Sequence, residues 1–143
     1  MYIDQISVYV ENRKGSLANV TGILNAANID LRAFCVADTT DFGILRLIVN
    51  DPDKTLNILL NAGVAVSKTK VIVARLKDQP GGLHAVLEVL SAHSIGVEYA
   101  YAFLSPTQGD AFAVLRVEPQ DTAAQVLHDH NITLMKPEDI YTL

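Results

Sequence analysis

The chain has 143 residues, half of them hydrophobic and 19% charged, with a formal charge of −5. Such a composition belongs to a globular protein, and the interspersed charges leave no basic stripe to follow a nucleic-acid backbone. The apolar runs are too short to span a bilayer and no basic, apolar leader stands at the start, while the lone Cys35 has no internal disulfide partner, so the expectation is a cytoplasmic protein that meets neither nucleic acid nor membrane.

In chain order, Ile6, Val8 and Val10 alternate as a strand does. The polar run Glu11–Ser16 then leads into Leu17, Val20, Leu24 and Ala27, spaced three and four apart like one helix face. LRAFCVA reads as a second strand, with Cys35 as a small core residue. TTDFG is turn chemistry before a third strand, Ile44–Val49. Asp53 is the expected N-cap of a second helix, DKTLNILLNA, and Gly63 suits its C-terminal end. A short strand is expected at Val64–Ser67.

The order then repeats. Gly81 follows Gly15 by 66 residues (81 − 15 = 66), and at that offset Ile6, Leu17, Val20, Leu24 and Ile29 meet Ile72, Leu83, Val86, Leu90 and Ile95. VEYAYAF and Ala111–Val117 are the second and third strands of this copy, Asp121 caps DTAAQVLHDH, Asn131 ends it, and Ile132–Met135 is the last strand. FGILRLIV aligns with FAVLRV at an offset of 70 (112 − 42 = 70), which puts four extra residues in or near LSPTQGD. The boundary is expected near Ser67–Lys70, giving units 1–68 and 69–143. Each reads β-α-β-β-α-β, an α+β fold. Two tandem ferredoxin-like units are expected, packed side by side, their antiparallel sheets carrying helices on one face.

Strand LRAFCVA is apolar at both parities, Leu31, Ala33 and Cys35 on one side and Phe34 and Val36 on the other. A sheet apolar on both faces needs a second cover, and a unit of about 70 residues is marginal alone. The units are therefore expected to pack together, with a homodimer covering what remains.

The loop Asn12-Arg13-Lys14-Gly15-Ser16 opens a helix. A helix start leaves backbone N–H groups unpaired and favours an anion, and a glycine lets a ligand approach. The loop can thus hold the carboxylate of a small ligand, or it can simply be the turn that any strand–helix junction requires.

ENRKGSL with the following LNAANIDL resembles the ACT domain, a regulatory amino-acid-binding module, and the serine-binding ACT domain of phosphoglycerate dehydrogenase in particular. Nearly the whole chain is similar to two such units in tandem, like the stand-alone tandem-ACT proteins that carry no catalytic domain. The resemblance implies sheets joined side by side and an amino-acid effector at the seam, between the strand–helix loop of one unit and the start of its neighbour's second strand. It implies contacts from Asn12, Arg13, Lys14, Gly15, Ser16 and Leu17, facing Asp30 and Leu31 or their counterparts. In the second copy the corresponding positions are Asp78, Gly81, Gly82, Leu83 and Gly96. Val10 and Asp30 depart from the serine-binding pattern, and Gly96 brings no side chain. Two geometries stay open. In one, the Asn12 loop meets Gly96 and the Asp78 loop meets Asp30; in the other, a homodimer sets Asn12 against Asp30.

Other residues carry less. Asp41-Phe42-Gly43 lacks every companion of the kinase metal triplet and reads as a hairpin. His128-Asp129-His130 points two ways on a helix and reads as its polar end, and His93 as a core or pocket-edge residue. Tyr99 and Tyr101 share one side of a strand, and Arg46 and Arg116 recur on the third strands as ion pairs or carboxylate ligands. No nucleophile–base pair, metal-ligand spacing or phosphate loop is present, so no catalytic residue, metal or cofactor is expected. The expected role is an amino-acid-binding regulator; the alternative is an accessory subunit for a separately encoded metabolic enzyme, acting without its own ligand.

Overall fold

The computed structural model describes residues 2–38 and 41–143; Thr39 and Thr40 of the expected first hairpin turn lie outside them. The elements are β1 (Ile3–Glu11), α1 (Ser16–Ala26), β2 (Leu31–Asp38), β3 (Phe42–Val49), α2 (Pro52–Asn61), β4 (Val66–Lys77), α3 (Gly82–Ala92), β5 (Gly96–Leu104), β6 (Asp110–Glu118), α4 (Gln120–Asp129) and α5 (Pro137–Tyr141). The fold is α+β, made of two tandem ferredoxin-like units with antiparallel strands. One compact unit holds residues 4–69 with 141–143, and the other residues 70–140 with Tyr2 and Ile3. Within the first, the Tyr141 hydroxyl accepts the Asp4 N–H at 2.9 Å and Arg32 Nη2 donates to the Tyr141 carbonyl at 3.0 Å. Within the second, the Tyr2 hydroxyl donates to the Asp121 carboxylate.

In the first unit β3 pairs with both β2 and β1, and the chain after α2 joins β1 through Tyr9 N–H to the Ala65 carbonyl at 2.9 Å. Ile6, Val8, Leu45 and Leu47 point to one face and bury Val20 and Leu24 of α1 and Leu59 of α2. The period-3.6 stripe of the helix thus meets the period-2 stripe of the strands. The second unit repeats the plan. There β6 pairs with β5 and with β4, and Arg75 N–H to Thr133 O and Met135 N–H to Val73 O, both 2.8 Å, attach the closing segment. Ile72, Ala113 and Leu115 bury Val86 and Leu90 of α3 and Leu127 of α4. Burying Leu24 or Leu90 fully contributes about 1.5–3 kcal/mol each.

Several local expectations change. Leu31 is displaced by an irregularity between Leu31 and Ala33, so it packs against the helix-side core instead of sharing a side with Ala33 and Cys35. By register Phe34 and Val36 lie on that same side, opposite Leu47 and Leu45, yet remain 67% and 45% exposed. Some residues turned from the helices are also buried: Gln5, Ser7 and Ile48 in the first unit, and Val73 and Val114 in the second. Asp51, not Asp53, caps α2, its carboxylate accepting the Lys54 N–H at 3.1 Å; Pro119 precedes α4, and Asp121 sits in the first turn. Gly63 and Asn131 end their helices at φ +75° and +59°. Asn28 and Ser94 do the same at +58° and +57°, a role that an asparagine side chain suits and a serine does not announce.

The third strands correspond at an offset of 68, not 70. Ile6 pairs with Leu47 and its counterpart Ile72 with Leu115 (115 − 47 = 68), so the second hairpin carries two extra residues. Arg46 and Arg116 are therefore not equivalent positions. Arg116 is held structurally, with Nη2 2.7 Å from Glu118 Oε1 and Nη1 donating to the Lys70 carbonyl at 3.2 Å.

Candidate functional site

The two loops that begin α1 and α3 have one backbone design. Arg13 N–H reaches Glu11 O at 2.9 Å, Ser16 N–H reaches Arg13 O at 3.3 Å, and Asn19 N–H reaches Gly15 O at 2.9 Å. Sixty-six residues on, Gln79 to Lys77, Gly82 to Gln79 and Ala85 to Gly81 repeat them at 2.9, 3.0 and 3.0 Å. Gly15 and Gly81 sit at φ +85° and +88°, a region that disfavours any side chain. Neither helix start has a side-chain cap, so its N–H groups point outward with the positive end of the dipole.

Each loop borders a cleft in its own unit. The first, of about 670 Å³, is lined by Glu11, Arg13, Lys14, Gly15, Ser16 and Asn19, with Ala62 to Ala65 closing one side. Tyr9 and Phe42, 47% and 41% exposed, form an aromatic wall with ring centroids 6.0 Å apart. Arg13 Nε lies 3.0 Å from Glu11 Oε2, an exposed pair. Lys14 and Asn12 have no side-chain partner among the described residues. The second cleft, of about 440 Å³, is lined by Arg75, Lys77, Gln79, Gly81, Gly82 and Asp110 among others. Lys77 is tied to Asp110 at 2.8 Å. Where the first loop offers Ser16 and Asn19, the second has Gly82 and Ala85, and Gly82 is pressed so tightly against the Lys77 carbonyl that a Cβ would fall 2.0 Å from that oxygen.

The remaining expected residues lie elsewhere. Asn12, Leu17, Asp78 and Leu83 flank the clefts without lining them, and all four are exposed. Asp30 and Leu31 stand at the opposite end of their unit's sheet. Glu11 pairs with Phe42 whereas Leu31 pairs with Val49, seven residues or about 23 Å along β3. Asp30 forms an ion pair with Arg32 and donates its N–H to Asn50 Oδ1 at 3.0 Å. Gly96, opposite Glu118, is likewise far from its unit's loop. Asn19, Tyr9, Phe42 and Ala62 to Ala65 were not anticipated. Asn19 has a signal, being one turn beyond Ser16 on the helix face; the other positions reach the cleft only through pairing.

Groups with displaced pKa lie outside both clefts. The hydrogen bond to Asp121, then burial, push Tyr2 up to about 12. Burial raises Tyr141, and the bond to Asp53 raises Lys68. Among the described residues no group of three or more His, Cys, Asp or Glu is placed to hold a metal ion, and no helix is long and apolar enough to cross a membrane.

The profile of the ACT domain pair matches residues 1–143. No curated protein matches the chain. Among solved structures, protein BT0572 from Bacteroides thetaiotaomicron shares 38% identity over 100% of this chain and 98% of its own, with a TM-score of 0.93. The aspartokinase alpha and beta subunits share 18% identity over 88% of this chain and 90% of theirs, TM-score 0.59. The regulatory subunit of aspartate kinase from Thermus thermophilus shares 11% over the same fractions, TM-score 0.60. At the last two identities the likeness is one of fold.

Proposed function

The chain belongs to the ACT domain pair family, and on that premise we propose that it is a cytoplasmic amino-acid sensor with no catalytic role of its own. The observation that carries the reading is the cleft at the start of α1. It combines an uncapped helix start, a glycine at φ +85° and the unpartnered Lys14, all suited to a carboxylate, with the Tyr9–Phe42 wall to receive apolar atoms. The proposed contacts are Arg13, Lys14, Gly15 and Ser16 with Asn19, while Asn12 and Leu17 border the opening. Asp30 and Leu31 would come from a second copy in a homodimer, the Asp30 carboxylate taking the ammonium group. The second cleft, with Asp78, Gly81, Gly82 and Leu83 about its loop, is the weaker site, because Lys77 is already paired with Asp110 and its helix start carries Gly82 and Ala85 where the first has Ser16 and Asn19. Gly96 then serves the second strand's start as backbone alone.

An effector shifts the protein only so far as it prefers one arrangement of units or subunits. The test is thermal unfolding against each proteinogenic amino acid. A ligand at 100 times its Kd adds about 2.7 kcal/mol to the folded state. A rise with one chemical class, lost in Lys14→Ala and in Gly15→Val, supports the sensor; no rise with any of them sinks it. The second reading, an accessory subunit for a separately encoded enzyme, is favoured by the description of the aspartate kinase neighbour as a regulatory subunit. It takes over if no amino acid binds and a metabolic enzyme co-purifies.

A further inference from the structure

The fold brings together two histidines that lie 37 positions apart in sequence (130 − 93 = 37). His93 is the C-cap of α3 and His130 the C-cap of α4, and both are exposed. Their ring centroids are 5.1 Å apart with an interplanar angle of 78°. Each ring is anchored in the same way: His93 Nδ1 lies 2.9 Å from the Val89 carbonyl and His130 Nδ1 lies 2.8 Å from the Val126 carbonyl. A carbonyl only accepts, so each Nδ1 carries the hydrogen and donates it. That leaves the Nε2 lone pair of both rings uncommitted, the tautomer in which imidazole binds a metal, with a backbone carbonyl as outer partner.

We propose that His93 and His130 form a two-histidine chelate for a first-row divalent cation. Imidazole nitrogen suits Zn2+, Ni2+ and Cu2+ and does not suit Mg2+ or Ca2+. Metal–nitrogen bonds of about 2.1 Å and a near-tetrahedral angle put two chelating rings with centroids about 5 Å apart, the separation found here. Tetrahedral coordination does not require parallel rings, so the chelate closes by small side-chain adjustments that bring both Nε2 atoms to one point while each Nδ1 keeps its carbonyl. The χ2 torsion of histidine is broad and both side chains stand in solvent. The carbonyl ends of two neighbouring helices add a negative field that favours a cation. Water fills the other coordination positions, and the bound ion ties the end of α3 to the end of α4. The site owes nothing to the effector cleft and stands or falls separately from it.

The experiment uses the full chain without a histidine tag, with Ni2+ and Zn2+ as probes. The unfolding midpoint is expected to rise with either ion and to stay put with Mg2+. His93→Gln and His130→Gln are each expected to weaken binding at least about tenfold, since loss of a mere outer partner already costs that much. His128→Gln, two positions before His130 but on a different side of the helix, is expected to retain it. On the unmutated protein, Zn2+ is expected to perturb the ring signals of His93 and His130 in nuclear magnetic resonance while leaving those of His84 and His128 in place. An unchanged midpoint at millimolar Ni2+, a rise that survives His93→Gln, or a perturbation confined to His84 and His128 would each overturn the proposal.

Discussion

Gly82→Ala sets two physical arguments against each other. Gly82 is the first residue of α3. Helix propensity alone makes alanine better there by about 0.8–1 kcal/mol. The surroundings say the reverse: the added Cβ would lie 2.0 Å from the Lys77 oxygen and 3.2 Å from its carbonyl carbon, both backbone atoms that cannot swing aside. Reaching ordinary contact at 3.4 Å means moving the loop by about 1.4 Å (3.4 − 2.0 = 1.4), at an overpacking cost of about 1–3 kcal/mol. It also strains the Gly82 N–H to Gln79 O bond, 3.0 Å in the structure, whose net worth is about 1 kcal/mol. The sum, less the propensity gain, is a net loss of about 2 kcal/mol. For a chain of this size that lowers the thermal midpoint by about 4–8 °C. Thermal unfolding followed by circular dichroism, with urea denaturation as a cross-check, reads it directly. An unchanged or higher midpoint would show that the second loop is not held as described, and with it the tightness that sets the second cleft apart from the first.

Gly15→Ala meets no atom within 4 Å, so its cost is the φ of +85° alone, about 1–2 kcal/mol in urea denaturation, and a neutral result would count against the left-handed turn. Asp51→Ala should lose about 1 kcal/mol as a true N-cap, while Asp53→Ala, whose exposed carboxylate pairs with Lys68, should stay close to wild type; the opposite order would restore Asp53 as the cap. Tyr2 keeps its proton longer in the folded chain, with its pKa raised from 10.0 to about 12. Its stabilisation is therefore complete below pH 10 and is lost as pH climbs towards 12. Tyr2→Phe should flatten that fall in stability, with the part due to Tyr141 remaining, and an unaltered pH profile would refute the Tyr2–Asp121 bond.

The duplicated plan was legible because duplication preserves periods. Ile6, Val8 and Val10 alternate, Val20 and Leu24 keep helical spacing, and both patterns return 66 residues later facing the core, although Leu76 is only partly buried where Val10 is buried. Glycines at the two loop positions were readable for a related reason, since a φ near +85° admits little else. Identity matching failed where it competed with pairing. Arg46 and Arg116 align as letters, but hydrogen-bond register and the hairpin length decide the correspondence, and these set it at 68. The N-cap was misplaced by two residues because Asp51 and Asp53 are chemically alike, and only the position of the Lys54 N–H separates them. Short α5, held by the buried Ile140, left no periodic trace to find.

Sequence alone therefore determined the main elements of each unit, their β-α-β-β-α order and the two helix-opening loops, since these depend on residues near one another along the chain; it did not show that Val66–Lys77 runs as one strand, that Ile132–Met135 forms only an isolated bridge, or that α5 exists. Tertiary structure decided what distant residues do together. It set Tyr9 and Phe42 into one wall, parted Asp30 from the loop of its own unit, and drew His93 and His130 within 5.1 Å. Strand register and helix packing fix such distances, and neither is written in local spacing.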